Sequence, residues 1–231
     1  RFPQGHFLLS QAGRKKDGTS RKPADLAHAH DAVAEAAVEA MEQWVVLFNA
    51  VGIERGVLHA GGNDLKAQGW EEERVFARRT DVLNRIAGMT RGGPTRICLE
   101  NMDADGLSTA EELLRLADAV DEDAVMLCLD TSHANIRGVP SHRFAHAAGD
   151  RLAALHVSDN LGNADHHMLP YGRGTVDWSR LLQALCRIGY HGPFNLEIPG
   201  EIRCPGDVRL AKLTYALRLV QWMIANEGRE E

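Results

Sequence analysis

The chain has 231 residues, 44% of them hydrophobic, and a formal net charge of -6, which suits one domain, residues 1–231, with a full apolar core. No stretch approaches the ~18–20 apolar residues of a membrane span, and the opening "RFPQGHFLLSQAGRKK" has a short apolar patch but no cleavage site. The acidic balance argues against nucleic acid as the main partner; the local basic cluster "GRKKDGTSRK" (Gly13–Lys22) reads as a solvated loop.

In chain order, six short apolar runs read as strands: His6–Leu9, Gly56–His59, Arg96–Glu100, Val125–Asp130, Leu152–Val157 and Phe194–Ile198. The last five are apolar throughout rather than alternating, as expected for a parallel sheet covered on both faces. Ala24–Gly52 reads as a long Ala-rich helix. Ser108–Val120 opens with Ser108 or Thr109 as N-cap and a glutamate three residues on. Asp177–Gly189 closes on a glycine cap, and Asp207–Asn226 is amphipathic, expected to pack outside the sheet.

Strand–helix–strand alternation gives the α/β class. Neither G-x-G-x-x-G nor G-x-x-x-x-G-K-[ST] occurs, so a dinucleotide fold and a P-loop gain no support. Instead, four strands in succession end in a metal-competent side chain, namely Glu100, Asp130, His156 and Glu197, and His59 adds a fifth. Ends of successive strands converge on one mouth when the strands close into a ring, which predicts a TIM (β/α)8 barrel. Six strands fall short of eight. The chain is therefore expected to lack the first two βα units and to begin at about the third strand of the complete protein.

Any one of these carboxylates could bond a neighbouring loop. Three carboxylates and a histidine at the same register of consecutive βα units are better explained by a shared cation, because burying unpaired charge is costly. The cysteines fit that chemistry: Cys98, Cys128, Cys186 and Cys204 form no C-x-x-C pair, and Cys98 and Cys128 lie inside apolar runs. They read as buried free thiols of a cytoplasmic protein whose metal site would use His and carboxylate. In "DTSHA", His133 follows Asp130 by one turn, to hold substrate or a second metal, or to orient Asp130. Asp165 and His167 form a D-x-H that an extended loop would project to the same side; ordinary loop capping is the alternative. Asp159 reads equally as a loop-fixing or a catalytic carboxylate. His6 and His59 end the first two strands and could be satisfied core histidines. Trp178 is expected to anchor the helix that follows it. Arg137 and Arg173 are anion-contact candidates or plain surface arginines. His28, His30, His142, His146, His166 and His191 are assigned to surface or packing.

These motifs carry a resemblance. "GVLHAGG", "CLENM", "LCLDTSHA", "LHVSDNLGNADHHMLPYGRGTVDW" and "FNLEIPGE", spanning about Gly56–Glu201, resemble the xylose isomerase-like TIM barrels, the superfamily of sugar phosphate isomerases/epimerases and endonuclease IV. The resemblance implies that Glu100, Asp130, His156 and Glu197 hold one divalent metal (Mn, Mg, Zn or Co). It implies that Glu100 and Glu197 are also the acid/base pair of a sugar or sugar phosphate isomerase or epimerase working through a metal-stabilised enediolate. His133 would bind a substrate hydroxyl, and relatives are often homo-oligomers. A second reading follows from the same superfamily. The three-zinc pattern of endonuclease IV finds partners in His6, His59 and Glu100, in the four core residues, and in His133, Asp165 and His167, for cleavage of abasic DNA. An inosose dehydratase-like lyase and a non-catalytic sugar-binding module complete the alternatives.

Overall fold

The computed structural model describes residues 2–7, 25–63, 65–120 and 125–227. The basic cluster Gly13–Lys22 lies outside them. Six strands, β1 (Gln4–His6), β2 (Arg55–Leu58), β3 (Arg96–Glu100), β4 (Val125–Asp130), β5 (Leu152–Val157) and β6 (Phe194–Leu196), form one sheet in sequential order. Every pairing with a described register is parallel: β1–β2, β2–β3, β3–β4 and β5–β6. Helices α1 (Asp31–Val51), α2 (Glu72–Thr90) and α3 (Ala110–Asp118) follow β1, β2 and β3. Two short ones, α4 (Thr131–Ile136) and α5 (Ser141–Ala148), follow β4, while α6 (Trp178–Arg187) and α7 (Gly206–Asn226) follow β5 and β6. Parallel neighbours need such crossovers, since a hairpin cannot join them. The α/β class and the βα repeat stand as expected, with six strands among the described residues where a complete TIM barrel has eight.

By backbone contacts the chain forms two compact units, Arg1–Glu100 with Ala104–Leu107 and Glu112–Cys128, and Asn101–Asp103 with Ser108–Glu111 and Leu129–Glu231. In the first, α1 buries Ala34, Ala37, Val38, Met41, Val45 and Phe48, one stripe at helical spacing. Gly52, at φ 73°, ends it by turning its N–H back to the Asn49 carbonyl. The expected helix from Ala24 is shortened because Asp25 Oδ1 accepts from the backbone N–H groups of Ala27 and Gly62, holding residues 25–30 as turns. In the second unit, α6 buries Trp178, Leu181, Leu182, Ala184 and Leu185, with the Asp177 side chain capping the Arg180 N–H.

Other differences from the expected elements have local causes. Strand β1 covers Gln4–His6 rather than His6–Leu9; its ladder ends with the Phe7 N–H on the Val57 carbonyl, where Phe7 stacks on Phe48, and Leu8 and Leu9 lie outside the described residues. Strand β6 stops at Leu196 instead of Ile198, ahead of Pro199, which has no N–H to give a ladder. Helix α2 was not foreseen. Its buried face of Val75, Val82, Leu83 and Ile86 is interrupted by a buried arginine, Arg79, which hides the apolar period. Helices α4 and α5 are too short to show one. Helix α7 buries Ala216, Val220 and Met223 yet exposes Leu210, Leu213, Tyr215, Leu217 and Trp222, so it lacks the polar face expected of it.

Candidate metal centre

In the first unit three potential ligands meet. The register that pairs Leu58 with Leu99 sets His59 beside Glu100, one step beyond each strand's last pair. His6 reaches them from the end of β1. Its Nδ1–H donates to the Phe7 carbonyl at 3.1 Å, which turns Nε2 toward the other two. His6 Nε2 lies 3.2 Å from Glu100 Oε2 and 3.2 Å from His59 Nε2, and His59 Nε2 lies 2.9 Å from the same carboxylate oxygen. Two imidazole nitrogens on one carboxylate oxygen is a ligand-like arrangement. Glu100 is buried, at 2% exposure, whereas the two histidines are partly open.

The loop that carries His59 is tied from beneath. Arg79 Nε donates to the Gly61 carbonyl at 2.9 Å, with longer bonds to Gly62 and Asp105 carbonyls. Burial pulls the Arg79 pKa below its usual value, opposed by the charges of Asp25 and Glu112. Gly61 sits at φ +77°, and a Cβ there would run into Asp25 Oδ1. Any side chain at Gly61 would displace that lock.

The second unit carries Asp130, His133, His156, Asp165, His167 and Glu197. Asp130 closes β4 and caps α4, its Oδ1 accepting from the N–H groups of Ser132 at 2.7 Å and His133 at 2.8 Å. Asn101 Oδ1 accepts from the Asp130 N–H at 2.6 Å, and Asn101 Nδ2 donates to the Asp130 carbonyl at 3.0 Å. His133 Nδ1 donates to the Asn101 carbonyl at 2.9 Å, so a neutral ring carries its lone pair on Nε2, 3.7 Å from Asp165 Oδ2. His156, at the end of β5 and 4% exposed, sets Nδ1 2.9 Å from Glu197 Oε2.

The D-x-H lies in the same group. His167 places Nε2 2.7 Å from Asp165 Oδ2 and Nδ1 3.0 Å from the Glu197 carbonyl, while the Ser132 hydroxyl donates to Asp165 Oδ1 at 2.8 Å. His167 adopts φ 49°, the left-handed region that non-glycine residues seldom enter. Asp159 is fully bonded to its own loop: it accepts from the Asn160 and Val176 N–H groups and from the Trp178 indole at 2.8 Å. Its place is loop fixing, and Trp178 is the buried anchor. Arg137 Nη1 is 3.9 Å from Asp103 Oδ1, and Arg173 is exposed on the loop after β5. Among the buried polar residues that sequence reading passed over are Asn101, Ser132 and Asn160, the last donating to the Ser132 carbonyl and hydroxyl. An Asn directly after a strand-end Glu, in "CLENM", was the available signal.

Strand order and strand-end chemistry together define a class, and comparison with known proteins agrees. The chain belongs to the xylose isomerase-like TIM-barrel family, whose model matches residues 12–224. It is 26% identical over 193 residues to the protein y4fM of Sinorhizobium fredii, covering 83% of this chain and 61% of that one. Over 91 residues it is 33% identical to a D-psicose 3-epimerase of Enterocloster bolteae, 39% of this chain and 28% of the relative. The chain thus spans less than two thirds of the length of these relatives. The fold superposes on the crystal structure of a D-tagatose 3-epimerase-like protein with a TM-score of 0.72 at 22% identity, covering 88% of this chain and 77% of that one.

Proposed function

We propose that the protein is a divalent-metal-dependent isomerase or epimerase of a sugar or sugar phosphate. The observation that carries this reading is the donor set: within the second unit Asp130, His156 and Glu197 each offer a ligand atom, all within 4.8 Å of one another, and Glu100 ends the strand that precedes Asp130's in the chain. Carboxylates and an imidazole at strand ends suit Mn, Mg, Co or Zn, and the buried Asp130 carboxylate with Glu197 close by calls for a cation. A bound divalent ion would supply positive charge where a ketose carbonyl and its neighbouring hydroxyl become an enediolate.

The chain's own residues do the rest in this reading. One of Glu100 and Glu197 removes the proton from the carbon beside the carbonyl. The other returns a proton, to the same carbon from the opposite face for epimerisation or to the neighbouring carbon for isomerisation. His133 presents Nε2 to a substrate hydroxyl. The epimerase named among the relatives supports the substrate class, and among the described residues no helix is long and apolar enough to cross a membrane.

A second reading has its own observation. His6, His59 and Glu100 also offer ligand atoms within 4.8 Å of one another, and Asp165 lies between His133 and His167. That pattern matches the additional ions of a zinc phosphodiesterase. Elemental analysis of the purified protein, followed by solvent deuterium uptake into D-psicose, D-tagatose and L-ribulose, separates the two. About one bound divalent ion with label incorporated supports the epimerase reading. Close to three zinc ions, no label and cleavage of abasic-site DNA would replace it with the phosphodiesterase. No metal uptake at all would overturn both.

A further inference from the structure

We propose that Asn101 is the positioning residue of this centre, holding the Asp130 carboxylate and the His133 ring in ligand-ready geometry without itself touching substrate. The inference rests on the reading of Asp130 as a ligand. Asn101 is fully buried, and its side-chain amide meets both backbone groups of Asp130, accepting from the N–H and donating to the carbonyl. The amide thereby imitates a neighbouring peptide unit, and it clamps the residue whose carboxylate must face the cation. Once that peptide is fixed, the Asp130 carboxylate can receive the second and third N–H groups of α4, those of Ser132 and His133, which fixes the orientation of its plane.

The same residue acts a second time through its backbone. Its carbonyl takes the Nδ1–H of His133, selecting the tautomer whose Nε2 carries the lone pair. One residue therefore sets the direction of a ligand and the proton position of the imidazole beside it. The side-chain clamp needs an amide at 101, while the bond to His133 is made by the backbone carbonyl and depends on the side chain only through the position the clamp gives it. An aspartate would set a carboxylate oxygen against the Asp130 carbonyl and add negative charge next to Glu100 and Asp130. A serine is too short to reach either backbone group, leaving a buried N–H and a buried carbonyl without this partner.

The test uses Mn2+ alone, with affinity read by competition against a chelator, and amide hydrogen exchange on the metal-free protein. Asn101→Ser is expected to weaken Mn2+ binding by about 10–100-fold, the range for groups that orient a ligand. It is also expected to speed exchange at the Ser132 and His133 amides. Leu185→Ala, buried in α6, lowers stability without touching the clamp and is expected to leave both readouts unchanged. Should the serine variant not fold, Asn101→Asp keeps the shape and the acceptor for the Asp130 N–H, and carries the same affinity expectation. A folded Asn101 variant with parental Mn2+ affinity overturns the proposal. If the parent binds no Mn2+, the metal reading fails on its own. The exchange data then decide Asn101, and unchanged protection at Ser132 and His133 overturns its role as well.

Discussion

The trio His6, His59 and Glu100 and the group around Asp130 both gather potential ligands at strand ends, but they hold them differently. In the trio, the His6 and His59 rings meet edge to face, 4.7 Å between centroids, and both turn Nε2 onto one oxygen of Glu100. Around Asp130, the carboxylate, the imidazole and the neighbouring Asp165 are each fastened by backbone or side-chain bonds from Asn101, Ser132 and α4. In the first arrangement His6 is also held by its bond to the Phe7 carbonyl, and His59 stands on the loop that Arg79 ties. The second is ordered before any ligand arrives, and preorganisation of this kind lowers the cost of binding.

The largest expected effect falls on the acid/base pair. Glu100→Gln or Glu197→Gln should lower turnover by about 10²–10⁴-fold, measured as label exchange from deuterated solvent into a ketose substrate. Because Glu100 also belongs to the trio, its loss should loosen His6 and His59, seen as shifted ring resonances, whereas Glu197→Gln should leave those two in place. Parental turnover in both variants would sink the assignment. Next comes His133→Ala, expected to cost about 10–100-fold in activity because it removes an oriented imidazole; His59→Ala should cost less under the one-ion reading. A reversed ranking would make the trio the reacting end. Trp178→Phe takes the indole donor from Asp159 and should destabilise the protein by about 1–3 kcal/mol in urea denaturation, without changing metal content.

The smallest effect is at alkaline pH. Burial pushes the Cys98 thiol up to about 12 from 9.0, and burial followed by the charge of Glu227 pushes the Tyr171 hydroxyl up to about 12 from 10.0. Both groups hold their protons more tightly when folded. Their contribution is complete below pH 9 and is lost as pH rises from there through about 12. Denaturation midpoints measured across that range should fall, and a flat profile would contradict both shifts. Native Cys98 should resist a thiol reagent that labels exposed Cys186.

Much of this was legible in the sequence wherever one physical signal dominated. Strands β3, β4 and β5 begin and end at the residues their apolar runs indicated, because a strand buried on both faces announces itself by composition. Glu100, Asp130 and His156 were legible as the first polar residues to end those runs. What stayed hidden depended on contacts distant in the chain. Arg79 looks like a surface residue until Gly61 and Asp105 supply its carbonyl partners. Asp159 was ambiguous until Trp178 and Val176, seventeen or more residues on, turned out to donate to it. Asn101 gives no periodic signal at all, since a single buried amide acts through geometry.

The sequential strand order has a consequence for how the chain comes to be folded. Each strand's partner in the sheet is the strand made just before it, with no later segment inserted between them. A nascent chain leaving the ribosome can therefore add one strand at a time to an edge already formed, at the ~5–20 residues per second of synthesis. Stalled chains ending after β4 should already protect the β2 and β3 amides from hydrogen exchange. Protection that appears only when β6 has emerged would mean that the sheet instead closes as a whole.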